Sequence, residues 1–145
     1  MRDWWTAADA QRFEERAQRL AAQLDAYQPL PGLHVNGALT VTESLGDLGG
    51  LAVAFRAYRL SLKNGRAPVI DGLTGEQRFF MGWARMWRSK EREAYVRSTL
   101  QSVPYLPAAL RANAAAGNLD GFVEAFGVKP GNRLFRAPGE RIRIW

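Results

Sequence analysis

Helix punctuation constrains this chain more than any other feature. Thr6 followed by Asp9, and Thr74 followed by Gln77, have capping-box spacing, in which the first side chain accepts from the third helical N–H. Behind Thr6, residues from Ala7 to about Tyr27 are good helix formers with Phe13, Ala17, Leu20 and Leu24 on one stripe, and Pro29, Pro31 and Gly32 end the run. Leu33 to Val41 alternates loosely and contains the turn pair Asn36-Gly37, which predicts a short extended segment. Thr42 is then the expected cap of a second long helix reaching Lys63, with Asn64-Gly65 as its stop. Thr74 opens a third helix rich in aromatics (Phe79, Phe80, Trp83, Trp87), which continues or breaks near Ser89 before a helical stretch to about Leu100. Pro104 and Pro107 mark a loop, and Ala108 to Ala116 and Asp120 to Phe126 read as two short helices. From Gly127 the chain is turns, at Lys129-Pro130-Gly131 and Pro138-Gly139, ending in a strand-like Ile142 to Trp145. The expected architecture is mainly α: one multi-helix domain over residues 1–145, with a short extended segment and an irregular tail.

Composition removes several chemistries. At 145 residues, folding buries roughly 68–70% of the unfolded chain's surface, enough for a core without staples. There is no cysteine and one histidine, His34, whereas a catalytic zinc site normally needs at least two imidazoles or thiolates. His34 sits in the extended segment and is read as a structural or surface residue. No apolar run reaches the roughly 18 residues of a membrane span, and Met1-Arg2-Asp3-Trp4-Trp5 has no apolar signal core, so the expected location is cytoplasmic unless an export signal lies on a missing upstream segment or on a partner. Net charge is +6 with a pI near 10.3, but 17 of the 20 basic residues are arginines scattered along the chain. Arg12, Arg16 and Arg19 interleave with Glu14 and Glu15, and Arg88, Lys90 and Arg92 with Glu91 and Glu93. Mixed signs at helical spacing predict solvated faces with local ion pairs rather than the clustered stripe of a nucleic-acid binder.

The second helix carries the most informative constellation. Glu43 and Asp47, four residues apart, share a face and are expected one turn from the helix start. Leu48, Leu51, Ala52 and Phe55 form the core stripe beside them, and Gly46, Gly49 and Gly50 a bare third face. An interior helix glycine costs about 1 kcal/mol relative to alanine, so three in five residues predict close approach by another backbone. An acidic pair at a helix start is also simply a favourable first turn.

The company of this pair is specific. Thr40-Val-Thr-Glu-Ser-Leu-Gly-Asp-Leu-Gly-Gly-Leu-Ala resembles the E-N-I-A-D-x-G-G-L block of the neprilysin family of zinc metallopeptidases (gluzincins), which includes the bacterial oligopeptidase O enzymes. Further family landmarks follow in order: Asp3-Trp4-Trp5-Thr6, Val35-Asn36-Gly37, Arg56-Ala57-Tyr58, Phe79-Phe80, Trp83 to Arg88, Glu124-Ala125-Phe126, and the ending Glu140-Arg141-Ile142-Arg143-Ile144-Trp145. The resemblance covers essentially the whole chain and implies the helical C-terminal segment of the catalytic lobe.

In that family two histidines of an H-E-x-x-H helix and a downstream glutamate hold zinc, and an aspartate four residues on orients one histidine. The resemblance therefore implies that Glu43 is a zinc ligand and Asp47 the orienting carboxylate, roles that suit both residue types. It places H-E-x-x-H shortly before the Asp-Trp-Trp landmark, so both histidines and the general base are expected from outside this chain, on a partner polypeptide or a missing N-terminal part. A family D-x-H element followed by arginine corresponds to Val103-Pro104-Tyr105 and Arg111. Arg111 is kept, with Tyr105 in the histidine's place and Val103 in the aspartate's. Arg111 and Tyr105, with Asp47, are the residues implied to serve catalysis, a tyrosine hydroxyl being able to donate to an oxyanion. Ser44 replaces the block's asparagine. Met86-Trp87 matches the pair lining the pocket for the side chain after the cleaved bond, and Met86, Trp87, Asn36 and Arg111 are the implied substrate-binding residues.

Two functions are compatible with this pattern. One is a half-site of a zinc endopeptidase, inactive alone and completed by an H-E-x-x-H-bearing subunit in a hetero-oligomer. The other is a non-catalytic pseudopeptidase subunit or peptide-binding regulatory module. Both predict an apolar or groove-like patch around Glu43, Gly46 and Gly50, through which the chain self-associates or takes a partner.

Overall fold

The computed structural model describes residues 4–63 and 65–144, so Asp3 of the first landmark, Asn64 of the expected helix stop and the closing Trp145 lie outside the described residues. Six α-helices follow one another: α1 (Ala7–Asp25), α2 (Gly37–Ser61), α3 (Gly75–Met86), α4 (Glu93–Thr99), α5 (Ala108–Ala116) and α6 (Asp120–Phe126), with a 3₁₀ turn at Pro138–Glu140. Among the described residues there is no strand, only isolated bridges joining Leu30 to Leu33 and Ile70 to Leu73. No helix among them is long and apolar enough to cross a membrane.

Two of the three predicted N-caps form. Thr6 accepts from the Asp9 N–H, and Thr74 and Gln77 close a reciprocal capping box. The start of α2 differs from expectation. Asn36 and Gly37 are not a hairpin turn; Asn36 is the N-cap, its Oδ1 accepting from the Leu39 N–H at 3.0 Å, and the helix begins five residues before Thr42. Asn-Gly is locally ambiguous, because Asn serves as well at an N-cap as in a turn. The tertiary reason for a helix here is a close crossing with α1. The Gly37 N–H donates to Asp25 Oδ1 at 2.7 Å, and a Cβ on Gly37 would lie 2.1 Å from the Ala21 carbonyl oxygen. Gly37→Ala is expected to force the two helices apart and cost about 2 kcal/mol, lowering the melting temperature by about 6 °C in a thermal melt.

Helix α2 is the spine, with α1 and α5 packed on it and α3 set against α5 and α6. Its buried positions Thr40 and Ser44 satisfy their hydroxyls on their own helix, donating to the Asn36 and Thr40 carbonyls. Leu48 and Leu51 then meet Leu20 and Leu24 of α1 and the alanine-rich face of α5 in one core. At the far end Phe55, Phe79, Phe80 and Phe122 make a ring cluster, and a Cβ on Gly121 would fall 2.1 Å from Phe55, so the ring would have to shift.

The tail docks without becoming a strand. Ile142 and Ile144 are buried and Arg143 exposed, a strand-like alternation, yet the backbone partners are side chains. Buried Asn118 accepts from the Ile142 N–H at 2.8 Å, and Arg16 and Arg19 of α1 donate to the Ile144 and Gly139 carbonyls at 2.8 and 2.7 Å. These two arginines therefore do not form the expected ion pairs with Glu14 and Glu15, which bond Gln18 and Gln11 instead. Arg141 and Arg143 both reach Asp120.

Candidate functional site

Helix α2 presents both acids from its interior. Glu43 is the seventh residue of the helix, so the pair is not an acidic first turn, and the helix N-terminus does not account for it. The two carboxylates have different surroundings. Asp47 is engaged by Arg111 of α5: Nε donates to Oδ2 and Nη2 to Oδ1, each at 2.7 Å, with the side chains only 13% and 16% exposed. This fork-on-fork pair is the strong geometry for guanidinium and carboxylate. Glu43, partly exposed one turn earlier, makes no hydrogen bond or ion pair with any described residue. The hydrogen-bonded Asp47 carboxylate holds the Arg111 guanidinium above its ordinary range, and the nearby charge of Glu43 adds to this.

Arg111 is held from other directions as well. Its guanidinium carbon lies 4.0 Å from the centre of the Trp87 ring and 5.3 Å from that of Tyr105. Trp87 caps the C-terminus of α3, and Tyr105 lies in the loop before α5. With Tyr95 they border a groove of about 260 Å³ that Arg111 also lines. Asp47, Arg111, Trp87 and Tyr105 are thus brought together from three helices and a loop.

The remaining predicted residues are placed apart from that cluster or turned away. Met86, at the end of α3, is 63% exposed. Asn36 spends its side-chain oxygen on the α2 cap. Ser44 is buried on another face of α2 from Glu43. His34 is exposed, with Nδ1 3.0 Å from the Asp25 carbonyl oxygen, and serves the α1–α2 connection as read from sequence. Of the aromatic residues, Phe79, Phe80 and Trp83 belong to the core, with Trp83 donating to the Ala112 carbonyl.

The glycine face behaves in two ways. Gly49 is buried, whereas Gly46 and Gly50 are exposed, and a Cβ on either would meet nothing within 4 Å. The backbone expected to approach them is therefore not among the described residues. Val53, 61% exposed, continues the same face, and an apolar groove of about 310 Å³ opens beside it between α2, the start of α6 and the tail. No group of three or more His, Cys, Asp or Glu that could hold a metal occurs among the described residues. The donor set therefore fits one corner of a zinc site at Glu43 and no complete site.

Sequence reasoning missed the direct Asp47–Arg111 pair and the rings around it. The two residues are 64 positions apart, and no local pattern links them.

Comparisons with known proteins show the family and the fold. The model of Peptidase family M13 matches residues 1–142. A neutral endopeptidase of Lactococcus lactis is 33% identical over 142 residues, covering 98% of this chain and 21% of the relative. Human neprilysin is 30% identical over 148 residues, covering 99% and 20%. Among solved structures, the zinc metalloprotease Zmp1 of Mycobacterium tuberculosis in complex with inhibitor superposes with a TM-score of 0.95 at 46% identity, over 100% of this chain and 23% of that one. PepO from Lactobacillus rhamnosis superposes with a TM-score of 0.81 at 34% identity, over 99% and 21%. The chain thus spans about a fifth of the length of the relatives it matches. With the family match running from residue 1 to 142 and the helices superposing throughout, this chain belongs to peptidase family M13, the neprilysin-like zinc metallopeptidases.

Proposed function

We propose that the chain supplies part of a zinc endopeptidase site, with Glu43 as the carboxylate ligand, completed by an H-E-x-x-H-bearing polypeptide of the same family. The observation that carries this is the contrast along one helix face. Asp47 is neutralised by a bidentate arginine, while Glu43, one turn away, has no partner among the described residues and lies beside the open surface of Gly46 and Gly50. An unpaired carboxylate next to a small-residue face suits a helix that docks closely and brings the remaining ligands. A zinc ion held there would polarise the scissile carbonyl and the attacking water. Arg111 would donate from Nη1, its edge not used by Asp47, to a peptide carbonyl at the reacting bond. Asp47 keeps lone pairs beyond those taken by Arg111, so it can accept from an incoming imidazole N–H and fix its tautomer. Trp87, with exposed Met86 beside it, would border the side chain after the cleaved bond.

A second reading, a non-catalytic subunit, is favoured by one observation: the Tyr105 ring lies along Arg111, and its hydroxyl makes no hydrogen bond among the described residues. Co-expression with a family polypeptide carrying H-E-x-x-H separates the two. The half-site predicts a 1:1 complex with about one zinc per pair and cleavage of a fluorogenic peptide. The regulatory reading predicts the complex without restored cleavage. Failure of the chains to associate at micromolar concentration removes the half-site proposal.

A further inference from the structure

We propose that Trp87 and Tyr105 are positioning residues for Arg111, a pair of ring walls that leaves one edge of its guanidinium for a ligand oxygen. The inference rests on reading Arg111 as the group that meets the substrate and adds how its direction is set. An arginine side chain has four rotatable bonds, and a single salt bridge leaves much of that freedom unless packing removes it. Here three side chains restrain it. Asp47 takes Nε and Nη2 in the guanidinium plane at 2.7 Å, the Trp87 ring lies 4.0 Å from the guanidinium carbon, and the Tyr105 ring lies 5.3 Å from it. Both ring distances are within the range of cation–π attraction. What remains is the edge formed by Nη1 and the second N–H of Nη2, and Nη1 makes no hydrogen bond among the described residues.

Trp87 is held for its ring rather than for its N–H. Its Nε1 is buried with no hydrogen-bond partner, a costly state for an indole donor that packing must offset. Trp83 meets the same ring edge-on at 5.5 Å, so the indole that carries Arg111 is itself backed by the core. The same geometry gives Tyr105 a use that does not need its hydroxyl. Phenylalanine should therefore replace tyrosine where leucine cannot.

Side-chain nitrogen-15 spectra of the full 145-residue chain test this without zinc or partner. In the parent chain, Arg111 should give two separately resolved Nη signals, because rotation about its Cζ–N bonds is hindered, together with ring-current-shifted Hε and Hδ protons. Trp87→Leu and Tyr105→Leu should each merge the Nη signals, the ring-current shift being lost mainly in Trp87→Leu, while Tyr105→Phe keeps the parent pattern. Unchanged Arg111 signals in both leucine variants, with parent-like far-ultraviolet circular dichroism, would overturn the proposal. So would a Tyr105→Phe spectrum matching Tyr105→Leu, since that would make the hydroxyl the working group. If Trp87→Leu fails to fold, the Tyr105 series decides alone. Because no peptide is cleaved in this measurement, the clamp stands or falls independently of complementation, and its loss would leave the zinc reading standing.

Discussion

In the complex with an H-E-x-x-H-bearing polypeptide, Glu43→Gln should abolish zinc-dependent peptide cleavage while leaving the isolated chain as stable as the parent. The two halves of this expectation come from the same fact. Glu43 makes no hydrogen bond or ion pair with a described residue and acts on the fold only through its charge near Arg111, so the change in unfolding free energy should stay within about 0.5 kcal/mol. An amide, by contrast, carries no negative charge and is a poor zinc ligand. Groups that only orient zinc ligands already account for about 10–100-fold in metal affinity or activity, so loss of the carboxylate itself should exceed about 10²-fold. Zinc content by atomic absorption and cleavage of a fluorogenic peptide read one half, and a urea melt of the isolated chain the other. A Glu43→Gln complex that retains stoichiometric zinc and cleaves peptide would refute the assignment.

Asp47 should behave in the opposite way. Asp47→Ala strands the Arg111 guanidinium in a setting only 16% exposed, against Trp87. Exposed ion pairs contribute about 0–1 kcal/mol, whereas removing one partner of a buried pair costs about 3–5 kcal/mol. With both side chains under one fifth exposed and two direct hydrogen bonds lost, the buried figure governs, and about 3 kcal/mol is expected, or about 10 °C in melting temperature. Adding Arg111→Leu to Asp47→Ala should recover most of that loss, because the desolvated charge is removed with its partner. A urea-denaturation cycle over the two singles and the double measures the coupling. A single Asp47→Ala cost below about 1 kcal/mol would mean that water reaches the pair freely and that the geometry is not maintained in solution. Of two carboxylates one turn apart, Asp47 is paired inside the fold and Glu43 makes no hydrogen bond or ion pair with a described residue.

Much of the scaffold was legible from local patterns. The helices Ala108–Ala116 and Asp120–Phe126 lie where the Pro and Gly punctuation put them, and the Thr74–Gln77 box opens α3 as read. The stripe of Ala17, Leu20 and Leu24 is buried, with Phe13 packed at its edge. Misreadings arose where two local meanings compete. Asn36-Gly37 serves a hairpin or a helix start equally well, and the close crossing of Gly37 with Ala21 selects the latter. Arg19 has Glu15 one turn away on its own helix, whereas Arg16 has no glutamate three or four residues away, and both give donors to tail carbonyls that have no strand to pair with. Ile142 and Ile144 alternate like a strand and are buried like one, but pairing needs a neighbouring strand, and the neighbour is Asn118.

Caps, stops and periodic stripes act over about four residues, so the amino-acid order alone determined the succession of helices, their buried faces, and the placing of Glu43 and Asp47 one turn apart. It also set the count of one histidine and no cysteine. Whether a given carboxylate is paired or free depends on what is packed against it from distant parts of the chain. The meeting of Asp47 with Arg111 across 64 positions, the rings that flank that arginine, and the bare surface at Gly46 and Gly50 were decided only when α5, α3 and the tail settled around α2.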